Sequence, residues 1–412
     1  MPTRWLVPWV LGVLSGLLAT GTAVRGETPE EAARSRLVLR VLRKTPLVDG
    51  HNDLPWEIRA HFAGRLDSLD LEDTRSLRPP LQTDLTRLRA GRVGAQFWSV
   101  YVPVEESGAS AIRAVLEQID LVKRMAERHP ETLELATTAA DIERIHKAGR
   151  VASLIGVEGG HCVDNSLAVL RQLYDCGARY MTLAHSKNTA WIDSATDTPR
   201  YAGLAPFGVE VVHEMNRIGM LVDLSHVSAE AMHDVLDVAR APVVFSHSSA
   251  RALCDFPRNV PDDVVQRLRA NGGLVMVTFA PSFVSPEVLA YESERKAEET
   301  RLRTLHPSDS LVVVAGMQAW VDSRKVPRAT LAQVADHIDH IRQVAGIDHV
   351  GIGSDFDGIS KTPVGLEDVA CFPALLAELA RRGYDAEALA KVAGGNLLRV
   401  LRAAERGRTR SR

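Results

Sequence analysis

The chain has 412 residues, of which 45% are hydrophobic and 25% are charged, and its formal net charge is −3. This composition excludes a disordered chain and provides enough apolar material for a large core. The small net charge gives no electrostatic reason to expect a nucleic-acid partner. The length suits two or three average domains or one large α/β barrel with insertions.

The N-terminal segment differs in composition from the rest of the chain. Arg4 is followed by an uncharged, largely apolar run over residues 5–24. Gly21 and Ala23 are small residues at the −3 and −1 positions of a signal-peptidase site. We therefore predict that residues 1–26 are an export signal peptide, with an uncleaved N-terminal anchor as the alternative. The signal predicts an exported protein, periplasmic or extracellular, without stable membrane association after cleavage.

The remaining chain is predicted to form one domain over residues 27–405, followed by a basic tail over residues 406–412. The four cysteines match no zinc-ribbon or CxxC spacing, so we expect buried free thiols rather than a metal site.

Short apolar runs alternate with segments of helical periodicity through this domain. Continuous Val, Ile and Leu runs are typical of parallel strands buried on both faces. Eight runs fit this description: 46–53, 93–102, 151–158, 178–185, 219–226, 241–247, 272–280 and 349–355. Helices are predicted over residues 28–44, 164–176, 228–239, 261–271 and 330–345. The alternation predicts an α/β fold, a (β/α)₈ TIM-type barrel.

One long segment does not fit a simple barrel connection. Residues 281–329 lie between the last two predicted strands and are predicted to form a helical insertion over the barrel mouth. The apolar run 311–314 within it leaves open a ninth strand.

Ionisable residues follow the predicted strands at their carboxyl ends, where barrels of this type carry their chemistry. These residues are His51, Asp53, Glu158, His185, His226, His247 and Asp355. A chance scatter of 14 histidines would rarely give this arrangement. The positions predict a single site with several ionisable groups directed at its centre.

Glu158 is the residue best suited to join two metal ions, because a carboxylate has two oxygens and an imidazole cannot bridge in this way. The simplest assignment gives one ion His51, Asp53 and one Glu158 oxygen. The second ion takes the other Glu158 oxygen with His226 and His247. Two ions about 3.5–4 Å apart would bind a hydroxide between them.

The same residues lie in segments that resemble the membrane (renal) dipeptidase family of binuclear zinc dipeptidases, within the amidohydrolase-type barrels. The matching segments are Asp49–Pro55, Gly156–His161, Leu183–Ser186, Asp223–Ser228, Phe245–Ser249, Arg258–Asp262 and Gly353–Gly358. The resemblance runs from about residue 45 to 400. It implies hydrolysis of dipeptides by a bacterial, exported family member that forms a homodimer.

The resemblance also implies roles for individual residues. The zinc ligands would be His51, Asp53, Glu158, His226 and His247, with Glu158 bridging two Zn²⁺ ions. His185 would contact the scissile carbonyl, Arg258 the free C-terminal carboxylate of the substrate, and Asp355 would act as acid and base. Tolerance for a D-residue at the second position and opening of some β-lactams are implied as well.

Two features depart from the family pattern. The lipid-anchor tail of the animal enzymes is missing from this sequence, which adds to the expectation of a soluble exported protein. Phe283 stands where relatives often carry a tyrosine, so a hydroxyl that contacts the substrate is expected to be absent.

Two alternative functions remain open. A related amidohydrolase acting on N-acyl amino acids or cyclic amides would keep the site and change the substrate. A catalytically inactive binding barrel would have lost ligands, whereas every expected ligand is present here.

A second group of histidines and aspartates occurs in residues 336–340. It lies on an amphipathic helix that would be on the outside of a barrel, so we interpret it as salt-bridged structure rather than a metal site.

Overall fold

The structure is a computed structural model that describes residues 28–409. The predicted export signal over residues 1–26 lies outside these residues, as does the end of the predicted basic tail. Nine parallel strands are described: β1 Leu47–Asn52, β2 Val93–Tyr101, β3 Leu133–Leu135, β4 Val151–Glu158, β5 Ala178–Thr182, β6 Leu221–Asp223, β7 Val244–Ser248, β8 Leu274–Val277 and β9 Val350–Ile352.

Eight of these strands close into a barrel. The hydrogen-bonded order is β2-β1-β9-β8-β7-β6-β5-β4-β3, and an additional pairing of β2 with β4 closes the sheet. Strand β3 lies outside the closed barrel and pairs only with the first half of β4. Each barrel strand coincides with one of the eight predicted runs, and only β7 extends one residue beyond its run, which confirms the (β/α)₈ prediction. The three-residue strand β3 was not predicted.

Helices surround this barrel. They are α1 Pro29–Leu42, α2 Leu54–Phe62, α3 Leu85–Ala90, α4 Gly108–Arg128, α5 Ala139–Lys147, α6 Leu167–Asp175, α7 Pro206–Ile218, α8 Ala229–Val238, α9 Asp262–Asn271, α10 Pro281–Val284, α11 Pro286–Leu305, α12 Ser310–Asp322, α13 Leu331–Ala345, α14 Phe372–Arg381, α15 Ala386–Ala390 and α16 Asn396–Gly407. A π-helical turn, Lys391–Gly395, joins the last two. Capping boxes in the local sequence stabilise the start of some of these helices. Thr28 forms one with Glu31 at α1, and Thr330 forms another with Gln333 at α13.

The core has two layers. A smaller cluster that includes Val48, Phe97, Leu154, Tyr180 and Met276 belongs largely to the strands. A larger cluster joins the outer strand faces to the helices. Side chains therefore fill the barrel, and only its ends are available for a site.

The insertion between β8 and β9 is helical, as predicted, and consists of α10, α11 and α12. The alternative of a strand at residues 311–314 is wrong. Asp309 accepts a hydrogen bond from the Val312 backbone N–H and caps α12, and Leu311 is 80% exposed. Four consecutive apolar residues fit a strand or a helix equally well, and here the N-cap decides in favour of a helix.

Candidate metal centre

The structure brings the predicted metal ligands together at the carboxyl ends of the strands. His51 belongs to β1, Glu158 ends β4 and His247 belongs to β7, whereas Asp53 and His226 follow β1 and β6 by one and three residues. Asp53, Glu158 and His247 are at most 5% exposed and His226 is 9% exposed. Parallel strands end at the same edge of a barrel, which is why residues distant in sequence meet here.

The two oxygens of Glu158 face two different groups of ligands. Its Oε2 lies 3.4 Å from His51 Nε2, which is itself 3.2 Å from Asp53 Oδ2. Its Oε1 lies 3.0 Å from His226 Nε2 and 3.5 Å from His247 Nε2. The two oxygens of Glu158 therefore lie near different side chains of the cluster.

These residues form a set of donors with the composition that zinc prefers, namely imidazole nitrogens and carboxylate oxygens. Three overlapping groups have ligand atoms that all lie within 4.8 Å of one another: His51 with Glu158 and His247, Glu158 with His185 and His226, and His51 with Asp53 and Asp355. Two imidazole nitrogens, His226 Nε2 and His247 Nε2, approach to 3.0 Å. A cation bound between these two nitrogens would stabilise their close approach, so the residues of this site fit a metal ion.

Hydrogen bonds on the far side of two rings fix which nitrogen faces the centre. The Tyr180 hydroxyl donates to the Gly50 carbonyl, so at 2.8 Å its oxygen accepts from His51 Nδ1. The Ser246 hydroxyl donates to Asp223 Oδ2 at 2.6 Å, so its oxygen accepts from His247 Nδ1 at 2.8 Å. In the neutral form, each ring thereby presents an unprotonated Nε2 to the centre, and this is the form that binds a metal ion.

Electrostatics favour the neutral ring at His247, whereas the neighbouring Tyr180, Glu158 and Asp53 raise the pKa of His51 well above its usual value. Burial lowers the pKa of His226 and of His247 well below the usual value, which keeps both imidazoles neutral. Burial alone would favour the protonated acid at Glu158, but the surrounding imidazoles, His51 first, hold its pKa well below the usual range. The centre is thus an ionised carboxylate surrounded by imidazoles.

Gly156 makes room for the tyrosine that orients His51. A Cβ at this position would lie 2.0 Å from the Tyr180 ring, so any larger residue would displace that ring. Gly358 has a similar role beside the acids, because a Cβ there would lie 2.3 Å from Asp53 Oδ2 and 2.5 Å from Asp355 Oδ1. Both glycines permit close approach at the centre.

Asp355 lies at the centre, as predicted, in a strained backbone conformation. Its φ is 67° and that of His226 is 74°, values that cost about 1–3 kcal/mol for a residue other than glycine. The Asp355 backbone N–H donates to the His51 carbonyl at 3.1 Å, which ties the two residues together. Burial and the neighbouring Asp53 and Glu158 raise the pKa of Asp355 well above its usual value.

His185 lies on the open side of the same cluster. Its Nε2 is 3.7 Å from Glu158 Oε1, and burial lowers the pKa of its imidazole. Its Nδ1 is buried and has no hydrogen-bond partner among the described residues. A polar atom of this kind is available to a ligand.

Arg258 is buried in the wall of the site rather than paired at the surface. Only 3% of the residue is exposed, and its guanidinium donates to the Ser248 hydroxyl and the His247 carbonyl, each at 3.4 Å. The Phe283 ring lies 5.4 Å from the guanidinium carbon. Burial lowers the pKa of Arg258 to about 10, which leaves it charged at neutral pH.

The metal centre opens into a cleft of about 630 Å³. The predicted site residues except His51 line it, together with Trp56, Tyr101 and the start of the insertion. Glu292 and Arg295 of α11 also line it, which confirms that the insertion reaches the barrel mouth.

Sequence reasoning missed the residues that hold the ligands in place. Tyr180 and Ser246 orient two histidines, and the Ser99 hydroxyl donates to Glu158 Oε2 at 3.0 Å. Asp223 accepts from the Ser246 hydroxyl and backbone N–H, and from Thr182 at 2.5 Å. The available signal was a polar side chain inside an otherwise apolar strand.

The histidines of α13 make structural contacts. The Ala250 backbone N–H donates to His337 Nδ1 at 3.0 Å, and His337 Nε2 donates to the Val284 carbonyl at 3.3 Å. His340 pairs with Asp262 at 2.7 Å.

Comparison with known proteins identifies the family of this chain. Residues 35–412 match the family described as membrane dipeptidase, peptidase family M19. Dipeptidase 3 of Rattus norvegicus is 44% identical over 379 residues, which are 90% of this chain and 68% of the relative. Dipeptidase verJ of Clonostachys rogersoniana is 41% identical over 378 residues, which cover 89% of this chain and 86% of the relative.

Solved structures show the same fold. A metallopeptidase from Rhodobacter sphaeroides, liganded with a phosphinate mimic of the dipeptide L-Ala-D-Ala, is 25% identical with a TM-score of 0.71. The match covers 88% of this chain and 99% of that one. The probable dipeptidase PvdM from Pseudomonas aeruginosa superimposes with a TM-score of 0.77 at 24% identity, over 91% of this chain and 99% of that one.

These comparisons contradict the predicted localisation. The prediction of an exported periplasmic or extracellular protein is wrong, because the similar curated proteins include Dipeptidase 3 of rat, mouse, macaque and human, in a family described as membrane dipeptidase. An apolar N-terminal run indicates entry into a membrane but does not determine where the protein resides. Within residues 28–409, no helix has the length and apolar character needed to cross a bilayer.

The family assignment rests on two independent observations. The match extends over nearly the whole chain, and the barrel presents a buried cluster of imidazole and carboxylate ligands at its mouth. The chain therefore belongs to the membrane dipeptidase family, peptidase family M19, and is a metal-dependent hydrolase.

Proposed function

We propose that this protein hydrolyses dipeptides with two zinc ions held by His51, Asp53, Glu158, His226 and His247. The observation that carries the proposal is the position of Glu158, whose two oxygens face separate groups of ligands. The relatives are named dipeptidases, and one solved relative holds a mimic of L-Ala-D-Ala. These names support a dipeptide as the substrate, including one with a D-residue in the second position.

The protein supplies the ligands and holds them in place. His51, Asp53 and Glu158 Oε2 would hold one ion, and Glu158 Oε1 with His226 and His247 would hold the other. Two zinc ions, when bound, lower the pKa of a water molecule and polarise a carbonyl group.

Asp355 is proposed as the group that moves the proton. It lies beside His51 and Asp53 at the centre, where a carboxylate can accept a proton from the attacking water and deliver it to the departing amine. Its backbone hydrogen bond to His51 fixes its distance from the ligands.

His185 and Arg258 are proposed to bind the substrate. The unpartnered Nδ1 of His185 is available to the carbonyl oxygen as negative charge develops there. The planar guanidinium of Arg258 suits the free C-terminal carboxylate and would restrict the site to substrates that end one residue past the cleaved bond.

A hydrolysis screen tests this function. The zinc-loaded protein is assayed against L,L- and L,D-dipeptides, the same dipeptides with an amidated C-terminus, and N-acetyl amino acids. We expect hydrolysis of free dipeptides and a loss of about 10²-fold in kcat/KM on amidation, since one charged hydrogen-bonded pair is lost. Activity on N-acetyl amino acids alone would favour the related amidohydrolase, and no activity would favour an inactive barrel.

Two further parts of the proposal have their own measurements. Elemental analysis should give two zinc ions per chain, and one ion would contradict a bridging role for Glu158. The predicted homodimer should appear at twice the monomer mass in size-exclusion chromatography with light scattering.

A further inference from the structure

A second cleft lies at the opposite end of the barrel from the metal centre. It is formed where strands begin rather than end, around Pro46 before β1, Val93 at the start of β2 and Val151 at the start of β4. Its volume is about 970 Å³, compared with about 630 Å³ for the cleft over the metal centre. This volume is within the range of sites for small molecules.

This basic cleft carries a charge opposite to that of the whole chain. Seven arginines and lysines line it against two glutamates, whereas the chain as a whole has a net charge of −3. Concentrated charge of one sign in a concave surface raises the local concentration of ions of the opposite sign. The cleft is therefore suited to an anion.

Three of these cations already have carboxylate partners. Arg89 pairs with Glu72 at 2.7 Å, Arg402 pairs with Glu143 at 2.5 Å, and Arg150 pairs with Glu134. Surface ion pairs of this kind account for their positions without any ligand.

The other four cations have no such partner. Arg43, Lys44, Arg92 and Lys147 make no ion pair with any residue in the described range 28–409. All four are exposed and come from three separate segments: the end of α1, the turn before β2 and the end of α5. Their convergence on one cleft is produced by the fold and not by a local run of basic sequence.

The floor of the cleft is apolar and tightly packed. Pro46, Val93 and Val151 are buried there. A Cβ on Gly94 would lie 2.7 Å from the Pro46 Cα, which shows how closely the first strands approach. A ligand would thus rest on a tightly packed apolar surface with exposed cationic side chains around it.

We propose that the basic cleft binds a small anion that carries two or more phosphate groups. Guanidinium and ammonium groups are the side chains that bind phosphate oxygens, by paired hydrogen bonds and as point charges respectively. Four unpaired cations on three segments exceed what one monoanion would neutralise. The proposal does not depend on the proposed dipeptidase activity, because the cleft shares no residue with the metal centre.

The test uses the zinc-loaded full chain and fructose 1,6-bisphosphate, with uncharged fructose as the comparison. Isothermal titration calorimetry at two salt concentrations should show saturable binding of the bisphosphate that weakens at higher salt, and none of fructose. The K44E/K147E variant should bind at least tenfold more weakly. The matched control is K325E/R328E, which has the same change in charge on exposed residues outside the cleft and should stay within twofold of the wild type.

Dipeptide hydrolysis by each variant reports that the fold is intact, since neither pair belongs to the metal centre. If K44E/K147E does not fold, the neutral variant R43Q/K147Q takes its place and should also weaken binding. No saturable binding at millimolar bisphosphate, or equal weakening by the control pair, would overturn the proposal. Vesicles containing phosphatidylglycerol identify the other phosphate source: binding to vesicles without binding of the bisphosphate would also overturn it.

Discussion

Among the clusters of histidines and carboxylates in residues 28–409, the one at the barrel mouth and the one on α13 differ in how their polar atoms are satisfied. At the barrel mouth, His51 Nε2 and Asp53 Oδ1 are buried without hydrogen-bond partners among the described residues. On α13, both ring nitrogens of His337 are hydrogen-bonded, and Asp336 and Asp339 pair with Arg382 at 2.6 and 2.8 Å. Buried polar atoms without partners indicate a site for a ligand, whereas satisfied atoms indicate structure.

The largest effect is expected at Glu158, whose two oxygens face separate groups of candidate ligands. Glu158→Gln keeps the shape and one oxygen but removes the negative charge, so we expect loss of bound zinc and a fall in kcat on the order of 10³-fold. The measurements are elemental analysis and steady-state kinetics. Asp339→Asn is the matched carboxylate-to-amide control on α13, and its zinc content and kcat should equal those of the wild type.

A smaller effect is expected at Tyr180, which contacts the His51 ring on the side away from the centre. Tyr180→Phe keeps the ring but removes the oxygen that accepts from His51 Nδ1, so the imidazole is free to change tautomer. Zinc affinity should fall by about 10–100-fold. Competition with a fluorescent chelator measures this change, and an affinity equal to that of the wild type would show that Tyr180 only packs.

Substitutions in the α13 cluster should change the stability of the protein rather than its activity. His337→Leu removes the partners of the Ala250 N–H and the Val284 carbonyl, so the free energy of unfolding should fall by about 2–4 kcal/mol. Urea denaturation of the zinc-loaded protein measures this loss. Zinc content should remain that of the wild type, and its loss would contradict the separation of the two clusters.

The same histidine should make stability depend on pH. Burial lowers the pKa of His337 to about 4 in the folded protein, against about 6.5 when unfolded. Between these values the unfolded chain binds more protons, so stability is full above pH 6.5 and falls as the pH decreases towards 4. Between pH 7 and pH 5 the wild type should lose about 2 kcal/mol more than His337→Leu. Equal losses in the two proteins would contradict a neutral buried imidazole.

The smallest effect is expected at the exposed ion pairs of α13. Asp339→Asn weakens the contacts of Asp339 with Arg382 and with the Tyr384 hydroxyl, at 2.8 Å each. Because these groups are partly exposed, the loss in unfolding free energy should be about 1 kcal/mol or less. Thermal denaturation of Asp339→Asn measures this loss.

The sequence by itself determined the barrel and most of its centre. Continuous apolar runs can be buried on both faces only in a parallel sheet covered by helices, so all eight barrel strands were predictable. Because strand ends meet at one edge, the position of Glu158 or His247 at the end of a run was enough to place it in the site. The prediction that Glu158 could bridge two ions rested on the two oxygens of a carboxylate.

Only the tertiary structure decided what each side chain contacts. The short strand β3 and the N-cap that makes residues 311–314 helical depend on a few local hydrogen bonds, for which the apolar pattern carries no signal. The roles of Tyr180 and Ser246 could be recognised only from the structure, in which these residues contact His51 and His247. The basic cleft likewise joins Lys44 to Lys147, because the starts of parallel strands converge as their ends do.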